Sequence, residues 1–279
     1  MSDRQALTEG TARKSLGQHF LHDPDILRRT ALAAGPVEGR TVIEVGPGPG
    51  GLTRAVLEEG AKKVIAVEAD RYFADALKSW PAFEEGRLCV VAGDARRANW
   101  PLLIREFHGE TPAMIVANLP YNVGTVLLVE WLKAGEWRGP MSLMFQKEVA
   151  ERIVAKPGSD EYGRLAVLAQ ATTKARIAFT LPPGAFKPPP KVESAVAVLE
   201  PLPAEARFDR LDLLETVTTA AFTQRRKMLR TSLKKLAQKH GMGADAWLHA
   251  CEIDPRERPE NLTQEEFRCL AGRLAQTSA

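Results

Sequence analysis

The tightest constraint on this chain is six residues long. Gly46-Pro47-Gly48-Pro49-Gly50-Gly51 follows a β-branched run at 41–45 and leads directly into a helical pattern over 52–59. A strand that passes through a glycine loop into a helix lets backbone N–H groups approach a ligand closely and turns a helix N-terminus toward an anionic group. Gly46, Gly48 and Gly51 satisfy the dinucleotide-loop pattern, so the loop alone does not separate NAD from other nucleoside cofactors. Its position between a strand and a helix favours a ligand loop over a plain tight turn.

The next strand ends repeat the theme. A strand over 63–67 ends in Glu68, where a carboxylate can accept both hydroxyl protons of a ribose. A strand over 88–92 ends in Gly93-Asp94-Ala95, and Asp94 is placed to accept from an adenine amino group. The apolar run Ala113-Met114-Ile115-Val116 is closed by Ala117-Asn118-Leu119-Pro120-Tyr121. The proline stops that strand, so an amide, a stiffened turn and an aromatic ring arrive together at a strand end, where open α/β sheets bind ligands.

Helices over 123–133, 147–154 and 162–173 and a strand over 141–145 follow, and 174–181 and 192–199 alternate as a strand pair. Between that pair, Pro182, Pro183, Pro188, Pro189 and Pro190 hold an extended loop presenting Phe186, which reads either as a core anchor or as a stacking platform. Glu200-Pro201-Leu202-Pro203 divides the chain into a domain over 1–203 and a helical domain over 204–279. Within the latter, 223–240 carries Arg225, Arg226, Lys227, Arg230, Lys234, Lys235 and Lys239 with no acidic residue, which predicts a basic helix that grips backbone phosphates. Near the start, Asp23-Pro24 predicts the N-cap and first-turn proline of a helix to about residue 34, preceded by a loop or cofactor flap at Gly17-Gln18-His19-Phe20-Leu21.

Composition sets the frame. A chain of 279 residues has room for one large domain and a small one. Its net charge of +3 is weak globally, so nucleic-acid binding rests on local clustering. Cys89, Cys251 and Cys269 form no Cys-x-x-Cys pair, which argues against a zinc site or a disulfide framework and fits a reducing compartment. Residues 1–16 lack the apolar core of a signal peptide, and no run approaches the ~20 apolar residues of a membrane span. A cytoplasmic protein without metal is expected.

Seven motifs stand in order along nearly the whole chain: Gly17-Gln18-His19-Phe20-Leu21, Glu44-Val45-Gly46-Pro47-Gly48, Asn118-Leu119-Pro120-Tyr121-Asn122, Phe145-Gln146-Lys147-Glu148-Val149, Tyr162-Gly163-Arg164-Leu165, Phe186-Lys187-Pro188-Pro189-Pro190-Lys191-Val192-Glu193-Ser194 and Phe222-Thr223-Gln224-Arg225-Arg226-Lys227. In this register the chain resembles the ribosomal RNA adenine dimethyltransferases, and among them the bacterial small-subunit enzymes that modify two adjacent adenosines near the 3′ end of their RNA. The resemblance implies S-adenosylmethionine as cofactor and an α/β Rossmann-like methyltransferase sheet followed by a small helical domain. Carried onto this sequence, the cofactor positions are His19, Leu21, Gly46, Glu68, Asp94 and Asn118. Family members commonly have asparagine at the position of His19; either side chain can hydrogen-bond a carboxylate.

The same resemblance implies a mechanism without a general base. The N6 lone pair of adenine is delocalised into the ring, so the nitrogen must be held in line and its lone pair drawn out. The Asn118 side-chain oxygen and Leu119 carbonyl would accept the two N6 hydrogens, with Tyr121 stacked on the base and Phe186 over its other face. Arg225, Arg226, Lys227 and Arg230 would bind the RNA. The expected partners are small-subunit ribosomal RNA and the small-subunit precursor, and a monomer is expected. A large-subunit adenine methyltransferase, a non-catalytic assembly factor and an NAD-dependent oxidoreductase are the alternatives. The segments 222–227 and 162–165 look more like the small-subunit enzyme, an intact Asn118 to Tyr121 makes a purely non-catalytic role less economical, and none of His19, His22, His108, His240 and His249 is clearly presented for hydride transfer.

Overall fold

A computed structural model describes residues 19–121 and 123–276. Gly17, Gln18, residues 1–16 and Asn122 lie outside the described residues.

Nine strands are present in the described chain: β1 (Phe20–Leu21), β2 (Thr41–Val45), β3 (Lys63–Glu68), β4 (Leu88–Ala92), β5 (Ala113–Asn118), β6 (Arg138–Gln146), β7 (Thr173–Leu181), β8 (Phe186–Lys187) and β9 (Ser194–Pro201). Seven form one sheet in the order β4-β3-β2-β5-β6-β9-β7, while β1 and β8 pair with each other. The run from β4 to β6 is parallel, and β9 is antiparallel to β6. All five residues of β2 and the first five of β5 are buried, as expected for parallel strands covered on both faces. This order places β2 and β5 side by side at the point where the chain changes direction across the sheet, where a crevice opens at the carboxyl ends of the strands.

The helices of the sheet unit are α1 (Pro24–Leu32), α2 (Gly51–Glu58), α3 (Arg71–Leu77), α4 (Pro81–Glu84), α5 (Trp100–Glu106), α6 (Gly124–Leu132) and the start of α7 (Lys147–Val154). α1 begins as its sequence predicts: the Asp23 carboxylate accepts from the Asp25 and Ile26 N–H groups at 2.9 and 3.2 Å, with Pro24 in the first turn. The last strand pair also forms, although β9 starts at Ser194 rather than at 192.

The second unit carries α8 (Arg164–Thr172), α9 (Leu211–Thr223), α10 (Leu229–Ser232), α11 (Lys234–Lys239), α12 (Ala244–His249) and α13 (Gln264–Gln276). Its core explains two of the sequence motifs. Tyr162 is fully buried and donates its hydroxyl to the Leu262 carbonyl at 3.0 Å, while the Phe222 ring meets Tyr162 edge-on and stacks on Phe267.

Three expectations require correction. Compact units do not divide at residue 203: Glu151–Ala175 groups with the chain from Pro201 onward, and Arg176–Glu200 groups with the sheet unit. A proline cluster marks where the chain turns, but α8 buries its apolar face among the later helices, and only tertiary packing reveals that. The basic segment is not one helix. It runs through the end of α9, a turn over 224–228 and the two short helices α10 and α11, because Gln224-Arg225-Arg226-Lys227 offers no apolar residue to bury. Cys251 and Cys269 form a disulfide, with Cα atoms 5.8 Å apart, and Cys89 is the free, buried cysteine, so cysteine usage does not support the expected reducing compartment. A separation of 18 residues hides that pairing until α12 and α13 pack together.

Candidate active site

The glycine loop is shaped by close packing. Gly46 and Gly48 have φ of +68° and +52°, in the left-handed region that glycine tolerates best. A β-carbon on Gly48 would stand 2.6 Å from the Phe20 ring, so alanine there would collide with the β1 segment lying over the loop. The loop is also tied to the next strand end, since the Gly48 N–H donates to Glu68 Oε2 at 2.9 Å and the Asp70 N–H donates to Oε1 at 2.8 Å. Burial raises the Glu68 pKa, and these backbone donors counter it.

A cavity of about 310 Å³ opens at these strand ends. His19, Gly46, Glu68, Asp94, Asn118, Leu119 and Tyr121 all line it, with Val45, Val67 and Phe20 supplying apolar wall. Leu21 lies beside it, in a small recess shared with Glu44, Gly46 and Asn118. Asp94 is half-buried and gripped by a residue that the sequence reading missed. The Arg96 guanidinium donates to both Asp94 oxygens, at 2.6 Å to Oδ2 from Nη2, and this hydrogen bond above all holds the carboxyl below its usual range. The available signal was the cation two residues beyond an acidic strand end, which is also the lining of the cavity.

At the end of β5, the Asn118 Nδ2 group donates to the His19 carbonyl at 3.0 Å. With its donor side engaged there, Oδ1 is left as an acceptor. No donor among the described residues occupies the neighbouring Leu119 carbonyl. Tyr121 follows, its hydroxyl 2.9 Å from Ser194 Oγ and its ring stacked on the His19 imidazole with centroids 5.6 Å apart. Burial raises the Tyr121 pKa, the Ser194 bond offsets part of that, and the phenol therefore remains protonated at neutral pH. Ser194, fully buried at the first position of β9, was quoted within a motif but not given a role from sequence.

Two expected site residues look different in place. His19 Nδ1–H donates to the Pro188 carbonyl at 2.8 Å. A neutral imidazole has only one N–H, so the neutral side chain has none left to offer a carboxylate. Phe186 does not line the cavity: it is 2% exposed, pairs with Leu21 through β1 and β8, and packs into the apolar core with Leu181 and Ala185. The short β1–β8 ladder turns the ring inward, which proline spacing alone could not decide.

The basic residues sort by partner. Arg225 pairs with Glu260 at 2.8 Å and donates to the Ser159 carbonyl at 3.3 Å, and Arg230 pairs with Asp245 at 3.2 Å. Arg226 and Lys227 are exposed and have no ion pair among the described residues, as do Lys234, Lys235 and Lys239 in α11. The acids that neutralise part of this run come from distant sequence, so the run itself looks more cationic than the folded surface. Among the described residues no group of three or more His, Cys, Asp or Glu is arranged to hold a metal ion, and no helix is long and apolar enough to cross a membrane.

The sheet and the cavity at its strand ends define a Rossmann-like methyltransferase that uses S-adenosylmethionine. The lining is compatible with that cofactor: Glu68 and Asp94 bring carboxylates from successive strand ends to the cavity, and Gly46 and Gly48 face it with no side chain to fill it. Residues 10–276 match the family model described as ribosomal RNA adenine dimethylase, and the chain belongs to that family. Ribosomal RNA small subunit methyltransferase A of Sinorhizobium medicae is 52% identical over 266 residues, covering 94% of this chain and 93% of its own. The protein of the same description from Agrobacterium fabrum is 52% identical over 270 residues, covering 94% and 93%. A crystal structure of a dimethyladenosine transferase from Plasmodium falciparum superposes with a TM-score of 0.75 at 25% identity, covering 93% of this chain and 98% of that one. The 23S rRNA methyltransferase ErmE shares the fold, with a TM-score of 0.64 at 24% identity, covering 92% and 100%.

Proposed function

We propose that this protein transfers methyl groups from S-adenosylmethionine to N6 of two adjacent adenosines in a loop near the 3′ end of small-subunit ribosomal RNA, giving N6-dimethyladenosine during small-subunit biogenesis. The observation that supports this reading is the end of β5, where Asn118, its Nδ2 engaged by the His19 carbonyl so that Oδ1 remains an acceptor, and Leu119 both line the cavity. When bound, the cofactor supplies a sulfonium methyl that is already a good electrophile. Glu68 would accept from the ribose hydroxyls, and Asp94, oriented by Arg96, would accept from the adenine amino group of the cofactor. His19 and Gly46 would flank its remaining length, with Leu21 behind them in the adjoining recess.

The reaction then depends on how the target nitrogen is held. In the first transfer the two acceptors on the N6 hydrogens draw the lone pair out of ring conjugation; as N–CH3 forms, the sulfonium S–CH3 bond would break and an N6 proton would leave to solvent. In the second transfer the monomethyl nitrogen keeps one hydrogen for one acceptor, with Tyr121 supporting the base through its ring. Positioning of this kind can account for a large share of a barrier reduction. Phe186 acts through the β1–β8 ladder that carries His19 and Phe20, as a positioning residue rather than as a platform. The target base leaves its own stack to enter, which favours a loop adenosine. Arg226 and Lys227, with α11, contact backbone phosphates, and Arg225 and Arg230 shape that surface through their ion pairs. The helical unit is thus the RNA-binding domain, the small-subunit precursor is the partner, and the setting is cytoplasmic, with the protein acting as a monomer.

Incubation with labelled S-adenosylmethionine and unmodified small subunits, followed by mass mapping, tests the assignment directly. Label should fall on two neighbouring adenosines as N6-dimethyladenosine; label on cytosine or on DNA sinks it. Asn118→Ala should lower turnover on the order of 10²-fold, by analogy with removal of one oxyanion donor, while cofactor binding stays measurable. Near-normal methylation by that variant would remove Asn118 from the mechanism.

A further inference from the structure

Beside the methyl-transfer cavity lies a second cleft of about 490 Å³, built from the turn after β4, the start of α5, and α6 with the segment to Trp137. The two spaces share Ala95, Arg96 and Leu127, so the cleft is continuous with the cavity wall. Its floor is aromatic. Trp100 and Trp131 are buried and meet edge-on, and Trp137, half-buried, stacks on Trp100 with centroids 6.4 Å apart and planes at 26°. On the rim, Val126 is 51% exposed, and Arg97 is exposed with no ion pair among the described residues. Arg96 is committed to Asp94 by hydrogen bonds, whereas the Arg97 guanidinium acts on Asp94 only through its charge, which leaves its N–H donors for an incoming anion.

We infer that this cleft seats the nucleotide flanking the target adenosine on the same RNA strand. The half-buried Trp137 ring, backed by Trp100, and the exposed Val126 offer sequence-tolerant apolar surface to a base, and the Arg97 guanidinium at the rim suits the phosphate that links two nucleotides. A protein partner would be expected to bury the apolar rim without needing Arg97, and would have no reason to lie against the methyl-transfer cavity. The cleft also bears on why two neighbouring adenosines are modified. When one occupies the cavity, the other lies one nucleotide away, and a pocket that offers the Trp137 ring and Val126 rather than hydrogen-bond partners accepts a dimethylated base, which has lost its N6 hydrogens, as readily as an unmodified one.

This inference rests on the reading that the cavity takes the target adenosine, and its test separates the two. Arg97→Gln and Val126→Asp alter exposed positions, and each is assayed on unmodified small subunits with mass mapping of both adenosines, alongside cofactor titration. Cofactor affinity should stay within about twofold, kcat/KM for RNA should fall tenfold or more, and the two adenosines should be affected unequally; Arg97→Lys should restore part of the rate. Wild-type rates at both adenosines for both variants overturn the cleft assignment while leaving the cavity assignment intact. A fall in kcat/KM that merely tracks lost cofactor affinity also overturns it. So does a defect seen with assembled particles but not with the bare RNA as substrate, which assigns the cleft to a protein of the particle.

Discussion

Glu44 is 1% exposed on β2, two residues before Gly46, and burial, opposed by hydrogen bonding from Thr53 and reinforced by the charge of Glu68, pushes its pKa up to about 8. Its Oε2 has no hydrogen-bond partner among the described residues. The unfolded chain releases this proton near the ordinary value of 4.5, so between 4.5 and about 8 the folded state binds more protons than the unfolded state. Stability should therefore fall as pH rises through that window, by up to about 1.4 kcal/mol per pH unit from this group, and level off above it. Glu44→Gln should flatten the pH dependence of the thermal midpoint over the window and raise the midpoint most at its alkaline end. An unchanged slope would mean that Glu44 ionises normally.

At the scale of elements, the β1–β8 ladder is the piece whose role the structure changed. Phe186→Ala removes a buried ring from the core and should cost about 3–5 kcal/mol of stability in urea unfolding, whereas Phe186→Leu should retain most of it. A Phe186→Ala protein that is fully stable but inactive would restore the stacking role. The parallel strands were readable because each is a short apolar run ending in a residue with chemistry: Glu68, Asp94 and Asn118 all line one cavity, as their strand-end positions predict. What could not be read depends on contacts between distant segments. Proline content says that 182–191 is extended, but not which way Phe186 points. Seven cations in a row suggest one basic face, but not that Glu260 and Asp245 return to claim Arg225 and Arg230. Arg96 escaped notice because a pair of cations after Asp94 reads as surface until the cavity is seen.

The whole molecule binds a polyanion with a net charge of only +3, so affinity must come from local cations. Replacing Arg226 and Lys227 by neutral residues should weaken RNA binding and reduce the slope of log affinity against log salt by about one per cation removed. Arg225→Ala should behave differently: it opens a partly exposed pair with Glu260 and should lower stability by about 1 kcal/mol or less. If Arg225→Ala changed the salt slope as strongly as the Arg226 variant, its ion pair would be incidental.

The antiparallel course of β9 has a consequence for the order in which the site is completed during synthesis. β9 enters the sheet at Ser194, beside the end of β6 at Gln146, so its first residue reaches the same edge that the parallel strands reach with their last. Domains generally fold as units, and the sheet unit includes Arg176–Glu200, so it is complete only after β9 has left the ribosome. A nascent chain that has emerged as far as β6 already holds the glycine loop, Glu68, Asp94 and Asn118, yet the Tyr121 hydroxyl has no Ser194 to meet and His19 has no Pro188 carbonyl. The strand ends that line the cavity are thus made well before the two late residues that anchor Tyr121 and His19.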